Sequence, residues 1–173
     1  MNLKEYIRDV PDFPKPGIIF KDISPLLKNP KALSYSIDKL IEPFSKNNID
    51  IVAGVEARGF LLSTPISLKL NKPMIPIRKI GKLPYKTFDV SYDLEYGKDT
   101  IEIHKDAIRP GDKVLIVDDL LATGGTINAC IKLINTAGGV VKGLSFIIEL
   151  TQLNGREILS NATTDKIHSI IKY

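Results

Sequence analysis

Apolar residues recur along this chain in two ways: as short runs bounded by turn residues, and at helical spacing. Asn29 and Pro30 open a helix, because Asn caps a first turn and Pro suits the first helical position. Leu33, Ile37, Leu40, Ile41 and Phe44 continue it at helical spacing, and Pro43 should distort its last turn. Residues 50–55 predict a short apolar strand, 59–70 a buried helix and 72–78 a second strand. After the turn at 109–112, the run VLIV within 113–117 predicts a buried strand. Residues 126–137 follow as a helix with Ile127, Ile131 and Ile134 on one face, ended by Gly138 and Gly139. Residues 140–150 and 166–171 predict two further strands. Strands alternating with helices mean an α/β fold with a mainly parallel sheet.

The remaining segments carry weaker patterns. Residues 3–9 suggest a short amphipathic helix. Residues 11–25 hold four prolines and a glycine and suggest irregular chain. Residues 80–106 are rich in Gly, Pro, Tyr and charge, with short alternating stretches at 88–92 and 100–104. They suggest a loop with a small β excursion, outside the core. Residues 154–173 suggest a short helix and an edge strand, with no identifiable site residue.

Length and composition narrow the function. A chain of 173 residues, 43% hydrophobic and 25% charged, suits one globular domain, 1–173. The net charge of +4 is compatible with an anionic ligand, and the basic residues are scattered with no Lys/Arg block. A phosphorylated small molecule therefore stands ahead of nucleic acid. No long apolar run predicts a membrane helix, and the N-terminus lacks the apolar core of a signal peptide. Cys130 is the one cysteine, and His104 and His168 are the two histidines. A disulfide within the chain and a Cys/His zinc cluster are both excluded, and the expected compartment is the reducing cytoplasm.

The segment 114–126, VLIVDDLLATGGT, carries the candidate chemistry. It sets Asp118 and Asp119 at the end of a buried strand, then a Gly/Thr loop, then a helix start. In open α/β sheets ligands bind at that end of the strands. Backbone N–H groups of the loop and the helix N-terminus favour an anion, and glycines allow close approach. Two adjacent acids would repel a phosphate, but suit hydroxyl groups or a bound cation. A phosphorylated sugar offers both kinds of end. Periodicity alone fits a strand–turn–helix with solvated acids equally well. Neither a P-loop nor a G-x-G-x-x-G stretch is present.

These thirteen residues resemble the phosphoribosyl pyrophosphate motif of the type I phosphoribosyltransferases. Three other stretches are similar to the adenine phosphoribosyltransferases in particular: 13–25 (FPKPGIIFKDISP), 55–60 (VEARGF), and 78–84 (RKIGKLP) with 91–98 (SYDLEYGK). The resemblance runs over nearly the whole chain, in the family's order and spacing. It implies a mainly parallel sheet with helices on both faces, a small N-terminal hood at 10–25 and a flexible catalytic β-loop at 79–106.

It also implies roles. Asp118 and Asp119 match the acids that contact the ribose hydroxyls, and Ala122, Thr123, Gly124, Gly125 and Thr126 the loop that holds the ribose phosphate. Glu56, Ala57 and Arg58 match the pyrophosphate turn, which in this superfamily often contains a non-proline cis peptide. Arg78, Lys79 and Lys82 match the basic start of the catalytic loop, reaching the leaving pyrophosphate. Ile19 and Lys21 match backbone contacts to adenine, with Phe20 stacked on the base and Leu120 on its opposite face. Some relatives carry Arg at the position of Lys21. Glu95 matches a loop glutamate acting on the imidazole side of adenine, and Tyr96 an adjacent tyrosine. Arg58, Lys82 and Glu95 are thus the implied catalytic set.

The implied reaction is purine salvage: adenine and phosphoribosyl pyrophosphate give AMP and pyrophosphate. Mg²⁺ is implied as a cofactor held by substrate, with no direct protein ligand, and the assembly implied is a homodimer. Two alternatives stay open: a related enzyme for xanthine, hypoxanthine or orotate, and a non-catalytic sensor of phosphoribosyl pyrophosphate. The stretch 13–25 argues against the first. The absence of room for a DNA-binding domain argues against the second.

Overall fold

The computed structural model describes residues 1–173 apart from Asn47, 94–96 and Thr164, and the side chain of Asp93. In chain order the elements are β1 (Arg8–Pro11), β2 (Ile19–Asp22), α1 (Ser24–Lys28), α2 (Pro30–Ile41), β3 (Ile51–Val55), α3 (Gly59–Leu70) and β4 (Met74–Lys79). There follow β5 (Thr87–Asp93), β6 (Lys98–His104), β7 (Lys113–Leu121), α4 (Gly125–Thr136), β8 (Val140–Glu149), α5 (Gly155–Ala162) and β9 (Lys166–Lys172).

Among the described residues the main sheet has seven strands in the order β5-β6-β4-β3-β7-β8-β9. Strands β4, β3, β7, β8 and β9 are parallel, and the β5–β6 hairpin joins β4 antiparallel. Side chains alternate across the inner strands. Ala53, Val114 and Ile116 face one core together with Ile127, Ile131 and Ile134 of α4. Val52, Leu115 and Val117 face a second core, with Leu40 of α2 and Leu62 and Ile66 of α3. Helices therefore cover both faces, as the sequence predicts.

Helix α2 begins where Asn29 Oδ1 accepts the backbone N–H groups of Lys31 at 3.1 Å and Ala32 at 3.0 Å. Its end tightens at Pro43 into a 3₁₀ turn, Glu42–Phe44. The buried Ser145 hydroxyl donates to the Leu40 carbonyl at 2.8 Å, tying α2 to β8.

Three expectations need correction. Only Leu3–Tyr6 forms a helical turn, of 3₁₀ type. The chain then enters β1, which pairs antiparallel with β2, so the segment 11–25 is a hairpin and a short helix, α1, rather than irregular. Backbone pairing between residues 8–11 and 19–22 satisfies groups that an isolated helical turn would leave open. Lastly, the segment 80–106 is not outside the core. Ile101 and Ile103 on β6 are 3% and 0% exposed and pack in the first core. The core shared with α4 buries them once β6 joins the sheet beside β4, and composition does not reveal those partners.

Phe146 of β8 is fully buried in the first core. Phe146→Ala is expected to destabilise the protein by about 3–5 kcal/mol, read from urea unfolding midpoints.

Candidate active site

Strand β7 runs past residue 117 and carries Asp118 and Asp119 into its last turn toward the loop. Asp119 is 2% exposed. Asp118 Oδ1 accepts the Asp119 backbone N–H at 2.9 Å. Burial holds both carboxyls above the ordinary aspartate range. The charge of Asp119 adds to the rise at Asp118, and Arg58 opposes it at Asp119.

Arg58 reaches Asp119 from the start of α3, with Nη1 3.1 Å from Oδ2. No N–H points along that line, so Asp119 Oδ2 is buried with an ion-pair neighbour and no hydrogen-bond donor. The approach of α3 depends on Gly59. A Cβ there would stand 2.7 Å from the Val117 carbonyl oxygen and 3.1 Å from Asp118 Oδ1. The Arg58 guanidinium carbon also lies 4.9 Å from the Phe20 ring centroid, a cation–π contact. One side chain thus joins the hood to the acidic pair. Phe20 meets Phe13 edge to face, 5.2 Å between centroids. Phe13 and Ile19 are each more than half exposed, leaving apolar surface at this end of the hood.

A cavity of about 200 Å³ is lined by Arg58, Asp118, Asp119, Leu120, Thr123 and Thr126, among others. Beyond the acids the chain turns through Gly124, at φ +83°, into α4. That φ is one only glycine adopts without strain.

The turn before α3 is held from the far side. Peptide Glu56–Ala57 is cis. Glu56 receives Arg78 Nε at 3.2 Å, Arg78 Nη2 at 3.3 Å and the Lys79 backbone N–H at 2.9 Å. Burial raises the Glu56 carboxyl, but these donors outweigh it and leave it below its ordinary range. Arg78 Nη1 also donates to the Lys82 carbonyl at 3.1 Å. Lys79 Nζ pairs with Asp99 at 3.0 Å.

The structure therefore gathers Arg58, Asp118, Asp119, Leu120, Ala122, Thr123, Gly124 and Thr126 at one cavity, with Gly125 outside its lining and Phe20 joined through Arg58. Arg78, Lys79 and Lys82 gather around Glu56. Ile19 stands exposed at the start of β2. The Lys21 side chain turns away, pairing with Asp9 at 2.8 Å and lying 3.8 Å from the Tyr173 ring centroid. Glu95 and Tyr96 lie outside the described residues. Sequence reasoning missed Glu102, which is 3% exposed and accepts the backbone N–H groups of Lys82 and Leu83 at 2.9 Å each. The alternation at 100–104 was its available signal. Reasoning also missed Tyr92, whose hydroxyl meets Thr126 at 3.3 Å and Asp99 at 3.5 Å.

Comparison with known proteins decides the family. The phosphoribosyl transferase domain model matches residues 20–148. The adenine phosphoribosyltransferase of Halothermothrix orenii is 58% identical over 92% of this chain and 94% of its own length. The chain belongs to the adenine phosphoribosyltransferase family. Solved structures agree. The Rhodothermus marinus adenine phosphoribosyltransferase superposes with a TM-score of 0.94 at 51% identity, covering 99% of this chain and 96% of that one. The Giardia lamblia enzyme of this family, complexed with 9-deazaadenine, gives 0.93 at 36% identity, covering 99% and 96%. Membership makes this chain a glycosyltransferase of purine salvage.

Among the described residues no group of three or more His, Cys, Asp and Glu could hold a metal ion. The acidic pair and the bare Asp119 oxygen fit hydroxyl groups or a cation carried by a ligand.

The raised carboxyl of Asp118 has a consequence for stability. An acid whose folded pKa exceeds its unfolded value favours folding while protonated, and loses that contribution as pH rises through the folded value. An ionised Asp118 therefore works against the ligand-free fold at neutral pH. Asp118→Asn, which keeps the acceptor for the Asp119 N–H, is expected to raise Tm at pH 7 by a few degrees. The gap should close as pH falls toward about 4. Scanning calorimetry across that range checks it, and an unchanged or lower Tm at pH 7 refutes it.

Proposed function

We propose that the gathered residues carry out the family's reaction on this chain: transfer of the phosphoribosyl group from phosphoribosyl pyrophosphate to adenine, giving AMP and pyrophosphate. The observation that carries the assignment of roles is the bridge made by Arg58, 3.1 Å from Asp119 on one side and 4.9 Å from the Phe20 centroid on the other. A sugar held by the acids and a base stacked on Phe20 would then lie within reach of one another. The Giardia enzyme's complex with 9-deazaadenine supports a purine as the base bound.

As the anomeric C–O bond breaks, positive charge develops on the ribose ring and negative charge on pyrophosphate. Asp118 and Asp119 accept the ribose hydroxyls, which supply the donor that Asp119 Oδ2 lacks. The loop 122–126 holds the 5′-phosphate through backbone N–H groups and the hydroxyls of Thr123 and Thr126. Arg58, Lys79 and Lys82 stabilise the departing pyrophosphate, each such preorganised contact being worth roughly 3 kcal/mol. Lys79 must leave Asp99 to do so. Arg78 acts with Glu56 to hold the turn that presents Arg58 and, through the Lys82 carbonyl, the start of the catalytic loop.

Backbone groups of Ile19 and Lys21 bind adenine between Phe20 and Leu120. The side-chain partners of Lys21 support a role through its main chain. Adenine N9 bonds to the anomeric carbon from the face opposite the leaving group, and Glu95 handles the proton on the imidazole side. Holding base and sugar in line supplies up to about 10 kcal/mol. Mg²⁺, held by substrate and not by direct protein ligands, would supply charge neutralisation at the departing pyrophosphate. The reading includes a homodimer, carried by the resemblance, and a cytoplasmic location, carried by the single cysteine. No helix of the described residues is long and apolar enough to cross a membrane.

Product formation is expected from phosphoribosyl pyrophosphate, Mg²⁺ and adenine, and not with hypoxanthine, guanine or xanthine. A chelator should abolish it. Asp118→Asn/Asp119→Asn and Lys82→Ala should each lower kcat/KM by about 100-fold or more. Use of another base would overturn the hood assignment and leave the sugar site standing. Binding of phosphoribosyl pyrophosphate without any turnover would make the chain a sensor.

A further inference from the structure

The C-terminal segment has no role in the reading above, yet it touches the phosphate loop. Glu149 ends β8 and is 3% exposed. Its carboxylate receives both prongs of the Arg156 guanidinium, Nε at 2.8 Å and Nη2 at 2.5 Å. Two further contacts reach β9: Nη1 donates to the Ile167 carbonyl at 2.9 Å, and Nη2 to the Ser169 hydroxyl at 3.2 Å. A bidentate pair of this kind fixes orientation as well as distance. It pins the first turn of α5 to the ends of β8 and β9.

The residue before Arg156 is Gly155, and its backbone packs directly on residues 122–124. A Cβ on Gly155 would fall 2.9 Å from both the Gly124 nitrogen and the Thr123 carbonyl carbon, and would overlap the Ala122 carbonyl oxygen. From the other side, a Cβ on Gly124 would stand 2.7 Å from the Gly155 carbonyl oxygen. Leu150 N–H donates to the Leu121 carbonyl at 2.9 Å, so the end of β8 also holds the residue that leads into the loop. The loop is thus supported by α4 ahead of it, by the Tyr92 hydroxyl at Thr126 and by the Gly155 backbone beside residues 122–124. The last of these is set by the Arg156–Glu149 fork.

We propose that Glu149, Gly155 and Arg156 are positioning residues for the sugar phosphate: the Arg156–Glu149 fork fixes the Gly155 backbone, and that backbone sets where the N–H groups of residues 122–126 point. The inference rests on the reading that this loop holds the 5′-phosphate. None of the three residues touches substrate. They act by fixing the loop, and a misplacement of about 1 Å is enough to cost such a site about 100-fold.

The test uses the full chain with three variants: Gly155→Ala, Arg156→Lys and, within the loop itself, Thr126→Ala. Steady-state kinetics give KM for each substrate. Calorimetric titration with ribose 5-phosphate, which carries the loop's phosphate but no base or pyrophosphate, reads the loop alone. Gly155→Ala and Arg156→Lys are expected to raise KM for phosphoribosyl pyrophosphate, and to weaken ribose 5-phosphate binding, by about 10- to 100-fold. KM for adenine should stay within about twofold. A merely structural role would instead lower the active fraction and leave both KM values in place. Arg156→Lys keeps the charge and loses the fork, so it carries the test if Gly155→Ala does not fold. If both variants bind ribose 5-phosphate like the parent while Thr126→Ala weakens it, the buttress is overturned and the loop reading stands. If Thr126→Ala also binds normally, the loop reading falls and the buttress falls with it.

Discussion

Two carboxyl groups adjacent in sequence are buried together at the end of β7, and the surrounding structure answers that burden. Burial raises both groups, and the charge of Asp119 raises Asp118 further. Arg58 is the cation that offsets it. For Arg58 to arrive, the start of α3 must press against β7 at a point where only glycine fits, Gly59. The turn that aims Arg58 is in turn held by Glu56, Arg78 and the Lys79 backbone. The same guanidinium lies against Phe20, so the hood's position is referred to the acids as well. The compensation is incomplete, because Asp119 Oδ2 has no hydrogen-bond donor.

The inner strands and the larger helices were legible because their signals are local. Apolar runs marked β3, β7 and β8, Asn29 and Pro30 marked α2, and Gly138 with Gly139 ended α4. The acids and the Gly/Thr loop were legible because they sit next to one another in the chain. What escaped depends on partners far apart in sequence. The β5–β6 hairpin reads as a charged loop until β4 is placed beside it. Glu102 reads as surface until it is seen accepting the Lys82 and Leu83 N–H groups. Residues 8 and 9 read as the end of a helix, and residue 11 as irregular chain, until β2 pairs with them. Gly155 reads as an ordinary helix start until the chain returns to residue 124. Periodicity reports what a residue faces within its own element, and is silent about which element comes to meet it.

The network around Lys79 shows how the two halves of the site are wired. Lys79 pairs with Asp99, Asp99 meets Tyr92, and Tyr92 meets Thr126 at the head of α4. Residues on the antiparallel hairpin, at one edge of the sheet, are thus in contact with Thr126 beyond the inner strand β7. Strand β6 pairs with β4 at Arg78↔Glu102 and Lys79↔Ile101. The Ile80 N–H to the Thr100 carbonyl, and the Lys82 and Leu83 N–H groups to Glu102, continue that attachment past the end of β4.

Strand order also bears on how the chain comes into being. Strand β3 lies between β4, which follows it closely, and β7, which begins only at Lys113. On a ribosome, β3 emerges early and waits with one edge unpaired until the chain has grown past Leu121. Neither core can close before then, since β7 contributes Val114 and Ile116 to one and Leu115 and Val117 to the other. The acidic pair arrives in that same strand. The costliest charges in the molecule therefore enter the interior at the moment of closure, when Arg58 has long been made and is there to meet them.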